Sequence, residues 1–137
     1  MTDPATEVKE SSGLDGALKG LAIGRLVVGA VARLSPGLTS RLSLSGSSAG
    51  SEYDYMTRVF GARAIALGTG YLASDGDARR LWQRLAFFCD VSDTIAGVAI
   101  LRRGGLPTPA AVWLTALTGT YAAIGAARVL EDVRGAG

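Results

Sequence analysis

The chain has 137 residues, enough for one domain, and a mean hydropathy of +0.29, higher than an ordinary water-soluble domain carries. Its 14 basic and 12 acidic residues nearly cancel and are scattered, which excludes the basic footprint of a nucleic-acid binder. With no histidine and a single cysteine, Cys89, internal disulfides, Cys/His zinc sites and histidine acid–base chemistry are excluded too.

Residues 1–15 hold Asp3, Glu7, Lys9, Glu10 and Asp15, with no basic start leading into an apolar core. They read as a polar tail rather than a signal peptide. The first apolar run covers 17–34 and stops at Ser35-Pro36-Gly37. A serine- and glycine-rich stretch over 39–54 precedes the second run, 55–73, which ends at Ser74-Asp75-Gly76-Asp77. The third run, 81–101, is closed by Arg102-Arg103-Gly104-Gly105. Pro107-Thr108-Pro109 opens the fourth, 110–130, and 132–137 form a C-terminal tail.

Each run approaches the ~20 residues that cross ~30 Å of hydrocarbon. Trp82 and Trp113 stand near run starts, and Tyr53, Tyr55 and Tyr71 at run ends, as interfacial aromatics do. The fourth run has only threonines and Tyr121 where a water-soluble bundle needs a polar stripe. The expected fold is all-α: an integral membrane four-helix bundle over residues 16–131. Lys9, Lys19, Arg79, Arg80, Arg128 and Arg134 would share the termini's side, against Arg33, Arg41, Arg102 and Arg103, a lean toward cytoplasmic termini in the inner membrane. Abundant alanine and glycine, and arginine in place of all but two lysines, point to a GC-rich genome such as an actinobacterium's.

Four charges fall inside the runs. Arg25 lies at the middle of the first, Arg63 at the middle of the second, and Asp90 and Asp93 flank the middle of the third. An isolated charge at bilayer depth costs about 2.5–3.5 kcal/mol, so four require mutual compensation. Asp90 and Asp93 are i,i+3 on one helix face, and Gly97 continues it. Arginine stays protonated and its planar fork suits a carboxylate. An Arg25/Arg63–Asp90/Asp93 network joining three helices is therefore expected. Packing and orientation are its simplest role; a proton or ion path and a lipid-headgroup contact are the alternatives.

Gly16, Gly20 and Gly24 recur every four residues, Gly61 and Gly68 share a face, and Gly119 and Gly125 slim the fourth helix. Such seams let helices approach closely, and one left over would receive a partner. Thr115, Thr118 and Thr120 are expected to bond back to preceding carbonyls rather than line a pore. Cys89 reads as a small packing residue. Asp75-x-Asp77 lacks the further ligands of a calcium loop. No catalytic, phosphate-binding or metal motif is present, so neither catalysis, cofactor nor metal is expected.

The stretch Arg58-Val59-Phe60-Gly61-Ala62-Arg63, then Ala66-Leu67-Gly68 and Asp90-x-x-Asp93, resembles a family of small bacterial four-helix membrane proteins of unknown function. Those proteins carry Phe-Gly-x-Arg on the second helix and aspartate on the third. The resemblance covers roughly residues 17–130 and implies the topology and a pairing of Arg63 with the aspartates; it brings no activity. Size and helix number also resemble accessory subunits of actinobacterial lipid-transport complexes, by analogy alone. The resulting expectation is a non-catalytic accessory subunit that stabilises a larger membrane complex, one that moves lipids, with lipids and that complex as partners. A free-standing oligomeric transporter or channel using the Arg/Asp cluster is the alternative, and a lipid-modifying enzyme built on the aspartates ranks last.

Overall fold

A computed structural model describes residues 4–35, 51–104 and 108–135. They form four α-helices: α1 (Pro4–Leu34), α2 (Ser51–Ala73), α3 (Gly76–Arg103) and α4 (Thr108–Gly135). No strand occurs among the described residues. The expected breaks at Pro36-Gly37, Gly105 and Pro107, the polar stretch 39–50 with Arg41, and the Tyr53 side chain lie outside the described residues.

The helices overrun the apolar runs. α1 starts at Pro4, not at 17, so most of the expected N-terminal tail is helical. Proline is tolerated in a first turn, and Ala5, Glu7, Lys9 and Glu10 are good helix formers. α4 likewise continues to Gly135 through the expected C-terminal tail. Arg128, near the end of the fourth run, ties to both extensions: it reaches Asp15 of α1 at 2.7 Å and Asp132 of its own helix at 3.2 Å. Between α2 and α3 only Ser74 and Asp75 interrupt. Asp75 is extended, Gly76 takes a positive φ of 53°, and the Asp75 carboxylate pairs with Arg79 at 2.8 Å. α3 ends at Gly104, whose left-handed backbone (φ 70°) lets its N–H donate to the Ile100 carbonyl at 2.9 Å.

α1 packs chiefly on α2, and α3 on α4, while the α2–α3 and α1–α4 contacts are sparser. The molecule is therefore two helical hairpins laid together. The buried row of α1 is Leu18, Ala22, Arg25, Gly29 and Ala32; that of α2 is Thr57, Gly61, Ala64, Leu67 and Gly68. Alternate steps of four and three along α1 are the mark of nearly parallel helices packing along a seam. α3 buries Gln83 and Asp90, and α4 buries Thr118 and Gly125. Apart from Leu18 and Leu67 the core is thus made of small and polar residues, and no large side chain is fully buried among the described residues.

The outward faces are the reverse. Ile23 and Val27 on α1, Tyr55, Met56 and Val59 on α2, Leu81, Leu85, Phe88 and Ile95 on α3, and Val112, Trp113 and Leu130 on α4 are all exposed.

One expectation needs correction. Among the described residues no helix is long and apolar enough to cross a membrane, so 17–34, 55–73, 81–101 and 110–130 do not qualify as spans one by one. Length is not what they lack, since even the 23 residues of α2 reach about 35 Å at ~1.5 Å each. The deficit is polarity: Lys19, Arg25 and Arg33 interrupt α1, Arg84, Asp90 and Asp93 interrupt α3, and threonines and glycines dilute α4.

Candidate functional site: the interior charge cluster

Arg25 stands at the centre of the buried α1 row, facing away from the solvent-side residues Ile23 and Val27. Its Nη2 donates to Oδ2 of Asp90 on α3, and both side chains are nine-tenths buried or close to it, at 9 % and 10 % exposure. Arg63 lies beside, not on, the buried α2 row and donates through Nη2 to Asp93 Oδ2. This second pair is more open, at 39 % and 26 % exposure. The i,i+3 aspartates of α3 thus each take one arginine, Asp90 from α1 and Asp93 from α2.

The fourth helix joins through an aromatic ring. The Arg25 guanidinium carbon sits 4.7 Å from the centroid of Tyr121 on α4, a cation–π distance. Arg63 is similarly placed over Phe60 of its own helix at 5.5 Å. Arg25 therefore touches groups from both helices of the opposite hairpin. Ion pairs and ring contact bridge the hairpins where backbone packing is sparse, so the cluster acts as the joint between them.

Within each hairpin the glycines do the work. A Cβ on Gly61 would lie 2.7 Å from the Gly29 carbonyl oxygen, and one on Gly29 would lie 2.8 Å from that of Gly61. Gly68 is pressed against the Ala22 carbonyl in the same way, at 2.7 Å. In the second hairpin Gly97 receives the Thr115 hydroxyl, not an arginine, and Gly125 receives Phe87. Of the expected seam Gly16, Gly20 and Gly24, only Gly24 is packed among the described residues, against Tyr121 Oη; a Cβ on Gly16 or Gly20 meets none of them within 4 Å. The four-residue repeat is real, but its first two members point outward, about 200° around the helix from Leu18 and Ala22.

Thr118 and Thr120 place their hydroxyls 3.0 and 2.8 Å from the Leu114 and Ala116 carbonyls, the back-bonded geometry expected of them, whereas the buried Thr115 hydroxyl, turned toward Gly97, has no hydrogen-bond partner among the described residues. Thr118 Oγ1 is also 3.1 Å from Thr94 Oγ1, linking α4 to α3. Cys89 is half-buried on α3 beside Asp90. Among the described residues no group of three or more His, Cys, Asp or Glu is placed to hold a metal ion.

Sequence reasoning missed three members of this arrangement. Gly29 belongs to no four-residue glycine series, though it falls on the 18-22-25-29-32 row. Gln83 is buried and places its amide 3.4 Å from the Gly125 carbonyl; the seven-residue spacing Gln83–Asp90–Gly97 was the available signal. Tyr121 stands out in the sequence only as a polar interruption of the fourth run, because no periodicity in α4 connects it to Arg25.

Comparison with protein families, with curated proteins and with solved structures finds no match. What the chain does is accordingly read from its own residues.

Proposed function

We propose that this chain is a small membrane-embedded four-helix bundle that serves as a non-catalytic accessory subunit of a larger membrane complex. The observation that carries the reading is the inverted polarity of the bundle. Phe88, Ile95 and Val27 are 69, 65 and 60 % exposed, whereas Arg25 and Asp90 are 8 and 7 % exposed. In water that distribution has no driving force, because burial of large apolar side chains is what stabilises a soluble core. In hydrocarbon it is favourable on both faces. Of the charges that lower the hydropathy of α1, α2 and α3, Arg25, Arg63, Asp90 and Asp93 are paired with one another, as intramembrane ionisable residues are, whereas Lys19, Arg33, Arg58 and Arg84 are exposed.

The outer charges support the same reading. Exposed charged residues on α1 lie at Asp15, Lys19 and Arg33, on α3 at Asp77, Arg80, Arg84, Arg102 and Arg103. Between Arg84 and Arg102 the outer surface of α3 is free of charge for about 25 Å at ~1.5 Å per residue, close to the ~30 Å hydrocarbon thickness. The long arginine and lysine stems reach the interface from such positions.

An accessory role fits a chain whose described residues are almost all helical and whose interior cluster joins helices rather than presenting reactive groups. The face bearing Gly16 and Gly20 is open within the bundle and slim enough for a partner helix. The test is fractionation followed by native purification. The chain should stay in the membrane pellet after carbonate washing, and a C-terminally tagged copy extracted in mild detergent should bring down a companion in fixed proportion. Release by carbonate overturns the membrane assignment; purification alone or only with itself overturns the accessory role. In the latter case the transporter reading gains, and ion or proton flux across proteoliposomes becomes its test.

A further inference from the structure

The two ion pairs of the cluster are unequally enclosed. Arg25–Asp90 is shut inside the bundle, whereas Arg63–Asp93 opens outward between α2 and α3, at 39 and 26 % side-chain exposure. Arg63 Nη2 donates to Asp93 Oδ2, and the Phe60 ring lies beside the guanidinium. The surface around this pair carries no further charge: Val59, one turn before Arg63, is exposed, as are Ser92 and Ala96 on either side of Asp93. Within a bilayer, ionisable side chains face a protein interior or a water-filled cavity rather than lipid. A half-open pair ringed by apolar and small residues is therefore a face that another polar surface covers.

We propose, on the membrane placement alone and independently of the accessory role, that the cover is a second copy of this chain, in a two-fold dimer whose axis runs along the helices. The cation stands on α2 and the anion on the neighbouring α3, so the pair runs from plus to minus across the face. A two-fold axis parallel to the helices brings α2 of one protomer against α3 of the other. Each Arg63 is then set opposite an Asp93 of the other copy, and the four charges alternate and sum to zero. Arginine has five N–H donors in a planar fork, so a second carboxylate finds donors that the first leaves free. The small side chains of Ser92 and Ala96 allow the helices to come close. With the axis across the helices, α2 would face α2 and arginine would meet arginine. The charges thus select two chains that cross the bilayer in the same direction. A partner offering one carboxylate or one cation fits less well, because it leaves a net charge at bilayer depth.

Two differently tagged copies of the full chain, co-expressed, carbonate-washed in the membrane and extracted in mild detergent, test this. Either tag is expected to retain the other copy in equal amount. A chain that stays in the washed membrane but never retains a second copy overturns the dimer and leaves the membrane placement standing. Release by carbonate removes that placement, and the dimer with it. Arg63→Asp combined with Asp93→Arg then locates the contact, because the exchange keeps the variant complementary to itself but sets like charges against wild type. Variant should retain variant as wild type retains wild type, while mixed pairs fall about ten-fold or more. Mixed pairs retained at the wild-type level overturn this interface. If the exchanged chain does not accumulate, single cysteines in a Cys89→Ser background give the same readout. A short bis-maleimide applied to membranes should join Ala96→Cys chains into dimers and leave Ile23→Cys chains, on the exposed face of α1, unjoined. Joining no stronger at position 96 than at position 23 overturns the proposal.

Discussion

Arg25 on α1 and Asp90 on α3 are 65 residues apart in sequence and form the most buried ion pair in the described structure. Removing one member of a buried pair leaves the other uncompensated, at a cost of about 3–5 kcal/mol. Asp90→Ala is expected to lose that much stability, and Arg25→Leu combined with Asp90→Leu is expected to regain most of it. Thermal unfolding of the single and double variants in detergent measures this. A double variant no better than the singles would show that the pair is not a self-contained unit.

Asp93→Ala separates the two environments the bundle has been considered in. Its partner Arg63 is 39 % exposed, and in water a pair that open contributes about 1 kcal/mol or less. In hydrocarbon an arginine left alone costs about 2.5–3.5 kcal/mol. The membrane reading expects loss of folded yield in membranes approaching that of Asp90→Ala. A variant indistinguishable from wild type would favour water around Arg63.

The charge cluster was legible because charges stand out against apolar runs, and four of them at similar depth demand partners. Which arginine meets which aspartate was not legible, since it depends on helix rotation: Arg25 is on the buried row of α1, whereas Arg63 is one position short of Ala64 on that of α2. The number of helices could be read from the breaks, but not their ends. Apolar runs mark where a helix is covered, while α1 and α4 continue past them to Pro4 and Gly135 through polar residues whose backbone propensity allows a helix. Glycine spacing misled at Gly16 and Gly20, because a four-residue repeat says that residues share a face without saying which face is turned inward.

Glycine substitutions should therefore split into two classes. A Cβ at Gly61 meets backbone atoms of Gly29 and Arg33 at 2.7 and 2.9 Å, which rigid helices relieve only by separating. Gly61→Ala is expected to destabilise by about 1–3 kcal/mol, the usual range for overpacking. Gly16→Ala and Gly20→Ala meet nothing, and should gain about 0.5–1 kcal/mol from helix propensity. Melting temperatures of the three variants check the order, and equal shifts at Gly61 and Gly20 would contradict the α1–α2 seam.

Open space at Gly20 also makes it the position that distinguishes a partner surface from an idle one. Gly20→Leu projects from an open position, since among the described residues no atom lies within 4 Å of its Cβ, and it fills the slim face toward any docked helix. The expected outcome is a folded chain, melting in detergent no lower than wild type, that no longer retains its companion on a tagged pull-down. Retention of the companion at wild-type level would move the interface elsewhere, to the outer face of α4.

Charge placed on the outer faces gives the most direct reading of the surrounding solvent. Ala66 on α2 and Ile95 on α3 are exposed and lie on the apolar outer surface, away from the charged ends. An arginine at either site contacts nothing essential in the bundle, so in water its effect stays within about 0.5 kcal/mol. In a bilayer the same change costs about 2.5–3.5 kcal/mol at depth, and the α3 carboxylates between Arg84 and Arg102 are already paired with Arg25 and Arg63. Ala66→Arg and Ile95→Arg are thus expected to reduce membrane-inserted protein sharply, measured as folded yield after detergent extraction. Wild-type yield and melting for both would mean that the outer face meets water, and that the interior pairs of α3 stabilise a bundle whose apolar surface is covered by something other than lipid.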